Sequence, residues 1–150
     1  MNASRTNCFS IELARIRISN ALTSTQHCFK LRSAGKKARR GFRGYPVATI
    51  AFYGPDNRMA TKVAVALVLA AEQEPADLRR WLSDDHDVRT DPEIATEILT
   101  FIDAAGVKTV ALADRIIGCP HEEGIDYEGP TCPRCPYWAG RDRWTGEMLH

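Results

Sequence analysis

The sequence predicts an α/β fold: a small mixed sheet with two main helices, followed by a compact C-terminal lobe and preceded by a basic segment expected to be disordered. Three observations carry this. Short runs rich in β-branched residues end at turn-forming clusters, one long stretch repeats apolar residues at helical spacing, and the charge divides sharply along the chain. Residues 1–45 hold ten Lys/Arg against one acid, Glu12, whereas residues 46–150 hold ten against eighteen. That break places a boundary near Gly44, with a basic extension or targeting segment over 1–44 and one α/β domain over 45–150. At 150 residues, with 44% hydrophobic and 26% charged, the chain has the composition of a single ordinary globular domain.

The elements follow in order. Val47 to Tyr53 is apolar and rich in β-formers, and it stops at Gly54-Pro55-Asp56-Asn57, so it reads as a strand. Val63, Val65, Leu67 and Leu69 alternate within 61–69, and most of the intervening residues are also apolar. This is the pattern of a strand covered on both faces. Pro75 stands at a first helical turn, and Leu78, Trp81 and Leu82 fall on one helical face, so 75–82 is expected to be a short helix. Thr90-Asp-Pro-Glu93 supplies a capping box for a longer helix. Ile94, Ile98, Phe101, Ile102 and Ala105 form its apolar stripe, and Gly106 suits the positive φ of its end. A short strand near Val88 fits the pattern as well. Lys108 to Ala113 reads as the last strand, running through Asp114 into a cysteine-rich region.

That region is the most specific feature of the chain. Cys119-Pro-His121, a ten-residue loop and Cys132-Pro-Arg-Cys135 place three thiols and an imidazole within seventeen residues, as two short bites separated by a stretch long enough to fold back. The spacing suits tetrahedral coordination of Zn2+ by Cys119, His121, Cys132 and Cys135, in a C-terminal zinc-knuckle-like lobe over 118–150. Cys132 to Cys135 resembles the knuckle of zinc ribbons and rubredoxins. The resemblance covers four residues, and Pro136 stands where those knuckles usually have glycine. Other uses of the cysteines are a catalytic zinc, a Cys132/Cys135 redox pair or no cofactor. A redox pair prefers the start of a long helix, which Pro136 and Gly140 interrupt, and an iron–sulfur cluster usually takes four cysteines. His121-Glu-Glu123 with the later Cys-x-x-Cys has the letters of the zinc deaminases, but eight residues cannot hold the helix and strand that separate those motifs there.

The functional reading is a small zinc-binding protein, a binding or regulatory module with a structural metal site and an unknown protein or small-molecule partner. A nucleic-acid-binding alternative rests on the basic arm over 36–43 and on the tail, where Tyr137, Trp138 and Trp144 interleave with Arg141 and Arg143. The same tryptophans also suit covering a lobe poor in other apolar residues, and the acidic domain opposes phosphate binding. A third reading, a small metal-dependent enzyme, needs Asp56, Asp114 and Glu123 in one cleft beside the metal loop; Asp56 and Asp114 share it only if their strands are parallel neighbours. Asp84, Asp85, His86 and Asp87 read as a solvated loop ahead of a helix. No glycine fingerprint for nucleotides and no nucleophile elbow is present.

Three origins compete for the basic segment: an organelle transit peptide, a phosphate-neutralising arm, or an extension without a folded role. Cys8 and Cys28 within it are expected as free thiols. No continuous apolar stretch follows the basic start, and the longest apolar run, 63–71, is too short to cross a bilayer. No membrane association is expected, and the location is cytoplasmic, or an organelle if 1–44 is a transit peptide.

Overall fold

The computed structural model describes residues 37–122 and 131–150. Four strands, β1 (Val47–Tyr53), β2 (Lys62–Val68), β3 (Asp77–Leu82) and β4 (Thr109–Ile116), form one mixed sheet in the order β3-β2-β1-β4. Neighbours β1/β2 and β2/β3 are antiparallel, and β1/β4 is parallel. The connection that makes this parallel pair possible passes through helix α1 (Pro92–Ala104). Helix also occurs over 37–39. The α/β class with a small mixed sheet is what the sequence implied.

Alternation sorts the strand side chains onto two faces. Ile50 and Phe52 from β1, Val63, Val65 and Leu67 from β2, and Val110 and Leu112 from β4 pack with Ile98, Phe101 and Ile102 of α1. Ile50, Val63, Val65, Ile98 and Ile102 are each at most 2% exposed, so removing methylenes there would leave cavities. The opposite face carries smaller side chains: Ala51, Tyr53, Ala64 and Ile117 cluster, with Leu78, Ala113 and Trp144 against them.

The stretch 75–82 is a strand where the sequence implied a helix. Its Ala76 N–H donates to the Leu67 carbonyl at 2.8 Å, and Trp81 and Leu78 pair in register with Val63 and Ala66. Leu78 and Trp81 are three apart, which reads as one helical stripe but equally as opposite faces of a strand. They do part: Trp81 joins the cluster under α1, Leu78 the other face, and Leu82 is 67% exposed. A helix this short has little stability of its own, whereas the free edge of β2 offers a full ladder of partners. Residues 87–90 form turns, with one bond from Val88 N–H to the Ala60 carbonyl in place of the short strand.

Helix α1 begins one residue later than the capping box implies. Asp91, not Thr90, is the N-cap, and its Oδ1 accepts from the backbone N–H groups of Glu93 and Ile94 at 2.8 and 3.0 Å. The Thr90 hydroxyl instead donates to the Asp87 carbonyl. Asp91→Ala should therefore lower the unfolding free energy by about 1–2 kcal/mol in urea titration, while Thr90→Ala should cost less. At the other end Gly106 takes φ 63°, as its position implied.

Asp91 also pairs with an imidazole at the start of α1. His86 Nε2 lies 2.6 Å from Asp91 Oδ2, and His86 Nδ1 lies 2.6 Å from Asp85 Oδ1. The Asp91 carboxylate first, and Asp85 second, raise the imidazole pKa above its ordinary value; both carboxylates are lowered, Asp85 chiefly by His86 and Asp91 by the Ile94 N–H first and then by His86. A raised histidine contributes stability that is complete below its unfolded pKa of about 6.5 and disappears as pH rises through the folded value. The lowered carboxylates set the acid limit. Wild type and His86→Ala should thus differ most in urea midpoint just below pH ~6.5 and converge at higher pH.

Residues 37–44 lie against the domain. Ala38 is buried in the main core, Lys37 Nζ reaches Asp103 of α1 at 3.2 Å, and the Thr109 hydroxyl accepts from Arg43 N–H and donates to the Gly44 carbonyl. Most of the basic segment, with Cys8 and Cys28, lies outside the described residues. Among the described residues no helix is long and apolar enough to cross a membrane.

Candidate metal centre

The cysteine-rich lobe grows from the paired ends of β1 and β4. Past the last strand residues, Ile117 N–H donates to the Phe52 carbonyl and Gly54 N–H to the Gly118 carbonyl, both at 2.9 Å. Gly54 then turns the chain so tightly that a Cβ would lie 2.2 Å from the Met59 carbonyl oxygen. Its own carbonyl accepts from the indole N–H of Trp138 at 2.8 Å. Trp138 sits in the 3-10 turn Pro136–Trp138 and is 8% exposed, packed in one cluster with Cys119, Cys132 and Cys135. The lobe is thereby fastened to the carboxyl end of a parallel strand pair, the position where α/β sheets present their ligands.

Cys119, His121, Cys132 and Cys135 converge. One ligand atom from each lies within 4.8 Å of all the others. His121 Nδ1 stands 3.3 Å from the sulfur of Cys119 and 3.5 Å from those of Cys132 and Cys135. In a tetrahedral zinc site with Zn–S near 2.3 Å and Zn–N near 2.0–2.1 Å, the nitrogen-to-sulfur edge is about 3.6 Å. The observed spacing is that of four donors around one ion, and the three cysteines are free thiols, not a disulfide. The ring nitrogen facing the sulfurs is Nδ1.

Local backbone geometry explains why the two short bites work. In Cys119-Pro-His121-Glu122 the Glu122 N–H closes a turn on the Cys119 carbonyl at 3.1 Å, and the His121 N–H donates to Cys119 Sγ at 3.2 Å. In Cys132-Pro-Arg-Cys135 the Cys135 N–H closes a similar turn on the Cys132 carbonyl at 3.3 Å. Each cysteine is followed by proline, which fixes φ for the turn. Burial pushes the Cys119 and Cys135 thiols up. At Cys132 burial acts in the same direction but is outweighed by the Arg134 backbone N–H and the neighbouring thiols, so its pKa falls. Three buried sulfurs this close repel one another as thiolates, and a divalent cation is the charge that lets them deprotonate together. Three sulfurs and one imidazole could hold a metal ion with no position of a tetrahedron left over.

The remaining candidate residues are dispersed. β1 and β4 are parallel neighbours, as a shared Asp56/Asp114 cleft requires, yet Asp56 closes on its own turn: its carboxylate accepts from Arg58 N–H at 2.8 Å and from the Arg58 guanidinium. Asp114 is not beyond the strand but within β4, which runs three residues past Ala113, and it pairs with Arg115. Glu123 lies outside the described residues. A carboxylate does stand beside the cluster, but it is Glu122, which shares a small cavity with Cys119 and Cys132. The sequence offers two adjacent glutamates after His121, and the turn closed by the Glu122 N–H on the Cys119 carbonyl brings the first of them to the cluster.

The aromatic and arginine residues of the tail are engaged within the chain. The Arg141 guanidinium lies over the Tyr137 ring at 4.5 Å and donates to the Tyr137 and Gly146 carbonyls. Arg143 Nη1 lies 3.0 Å from Glu122, and Trp144 packs on the small-residue face of the sheet. What fold and site define together is an α/β chain with a Cys3His cluster that could hold a metal ion. No family model, no curated protein and no solved structure matches this chain.

Proposed function

We propose that the protein binds one zinc ion through Cys119, His121, Cys132 and Cys135, that the ion is structural, and that the protein serves as a binding or regulatory module. The observation that carries this reading is the convergence of the four donor atoms within 4.8 Å, with nitrogen-to-sulfur spacings of 3.3–3.5 Å. Four protein donors leave no position for a reacting water, which favours a structural over a catalytic ion. Apart from Tyr137, Trp138 and Trp144 the described residues of the lobe add no large apolar side chain to the core clusters, so metal coordination would supply the ordering that a larger core supplies elsewhere. Reduced cysteines kept for a metal suit a reducing compartment, and the cytoplasm is the proposed location.

The other readings lack such a convergence. Asp56 and Asp114 are each paired to a neighbouring arginine, and the tail guanidinium groups are held by backbone carbonyls or by Glu122. Protein purified without added metal should contain zinc in equimolar amount by elemental analysis. Zinc far below equimolar, with iron or no metal in its place, would refute the assignment.

A further inference from the structure

The tail arginines are held within the chain, but those of the basic arm are not. Arg40-Gly41-Phe42 and Arg43-Gly44-Tyr45 repeat the order arginine, glycine, aromatic. Both glycines take positive φ, 73° and 105°, so the chain turns at each. The rings of Phe42 and Tyr45 meet edge to face, with 5.4 Å between centroids. The backbone that presents them is anchored. Ala38 is buried in the core, the Thr109 hydroxyl accepts from Arg43 N–H and donates to the Gly44 carbonyl, and Lys108 N–H donates to the Pro46 carbonyl. A Cβ on Gly44 would lie 3.7 Å from Lys108 Cδ, so the lysine stem runs beside the second turn. Arg39, Arg40, Arg43 and Lys108 are all exposed, and among the described residues their cationic groups make no hydrogen bond and no ion pair. Asp103 of α1 is paired with Lys37 instead. Phe42 stands among these charges 51% exposed.

We propose that this surface binds single-stranded nucleic acid, with Phe42 stacked on a base and Arg39, Arg40, Arg43 and Lys108 holding the phosphates around it. An exposed ring flanked by unpaired cations is the combination that such strands need: every base has a face to stack, and the backbone carries a charge at each step. Three of the four cations are arginines, whose planar guanidinium groups grip phosphate oxygens bidentately. The bases of a duplex are already stacked on one another, so the ring selects for single strands. Little sequence preference is expected, because stacking accepts any base. The surface precedes β1 and β4, whereas the cysteine cluster follows them, so it lies at the other end of the strands. It is independent of the zinc reading above.

The test uses the full chain and a fluorescein-labelled oligouridylate of about 20 nucleotides, with binding followed by anisotropy between about 50 and 200 mM salt. On logarithmic axes the affinity should fall by a slope of about 0.7 for each phosphate neutralised. The double variant Arg40→Ala/Arg43→Ala removes two such contacts, so its slope should be shallower by about 1.4. Phe42→Ala should weaken binding about tenfold at every salt concentration and leave the slope unchanged. The replaced side chains are exposed, so both variants should melt as wild type does, and each tests the surface without the other. No binding at the lowest salt, or either variant binding as wild type does, would overturn the proposal. An unchanged Phe42→Ala beside a weakened double variant would mean attraction of charge alone, of the kind an acidic peptide or an anionic lipid surface also meets. A duplex of the same length bound as tightly as the single strand would count against it equally.

Discussion

Replacing Cys132 by serine should release the metal and unfold the C-terminal lobe while leaving the sheet and α1 folded. The sulfur of Cys132 is one of four donors around the site and lies 3.5 Å from His121 Nδ1. Its loss leaves two thiols buried beside an incomplete set. Structural zinc contributes roughly 10–16 kcal/mol in small metal-folded peptides, so losing one strong ligand should cost several kcal/mol, more than a marginally stable lobe can sustain. Trp138 reports the event, since its indole is buried against the three cysteines and bonded to Gly54. The expected signature is loss of zinc, a red shift of tryptophan emission and new protease cleavage after residue 131, with far-UV circular dichroism largely kept. Chelation of wild type should reproduce it. Full zinc content with unchanged melting in Cys132→Ser would show that the sulfur is not a ligand.

Gly54→Ala should be nearly as damaging, by a different route. The added methyl would meet the Met59 carbonyl oxygen at 2.2 Å, and a backbone atom cannot move aside as a flexible side chain can. Gly54 also bonds to Gly118 through its N–H and to Trp138 through its carbonyl, so any shift there strains the β1/β4 junction and the lobe together. A loss of roughly 3 kcal/mol or more is expected, at the upper end for overpacking. Urea unfolding monitored by circular dichroism and by tryptophan emission gives the readout. A variant within experimental error of wild type in both would mean that the turn has room that this geometry denies it.

How much of this was legible in the sequence depended on range. The strands β1 and β2 and the stripe of α1 are written as local periodicity, and the structure places Val63, Val65, Ile98 and Ile102 in one core as that periodicity demands. The four residues of the cluster were legible for a related reason: two bites of three and four residues leave little freedom in where their side chains can go. What escaped was decided by partners far away in the chain. Leu78 and Trp81 are compatible with helix or strand, and the unpaired edge of β2 settles the matter. Thr90 and Asp91 are both competent caps, and His86 and the backbone turn over 87–90 set which one holds the helix. Asp114 lies past the strand read over 108–113 until β4 is seen to continue beside β1 as far as Ile116. Glu122 and Glu123 are indistinguishable as letters. Glu122 reaches the cluster through the turn at Cys119 and the absent side chain of Gly118, neither of which has a periodic signal.

X-ray absorption at the zinc edge, on the full-length protein as purified, reaches the centre most directly. A zinc ion held by Cys119, Cys132, Cys135 and His121 gives three sulfur neighbours at about 2.3 Å and one nitrogen at about 2.0–2.1 Å, with no further ligand. A metal-free protein, or a zinc shell made mainly of oxygen and nitrogen, would contradict it.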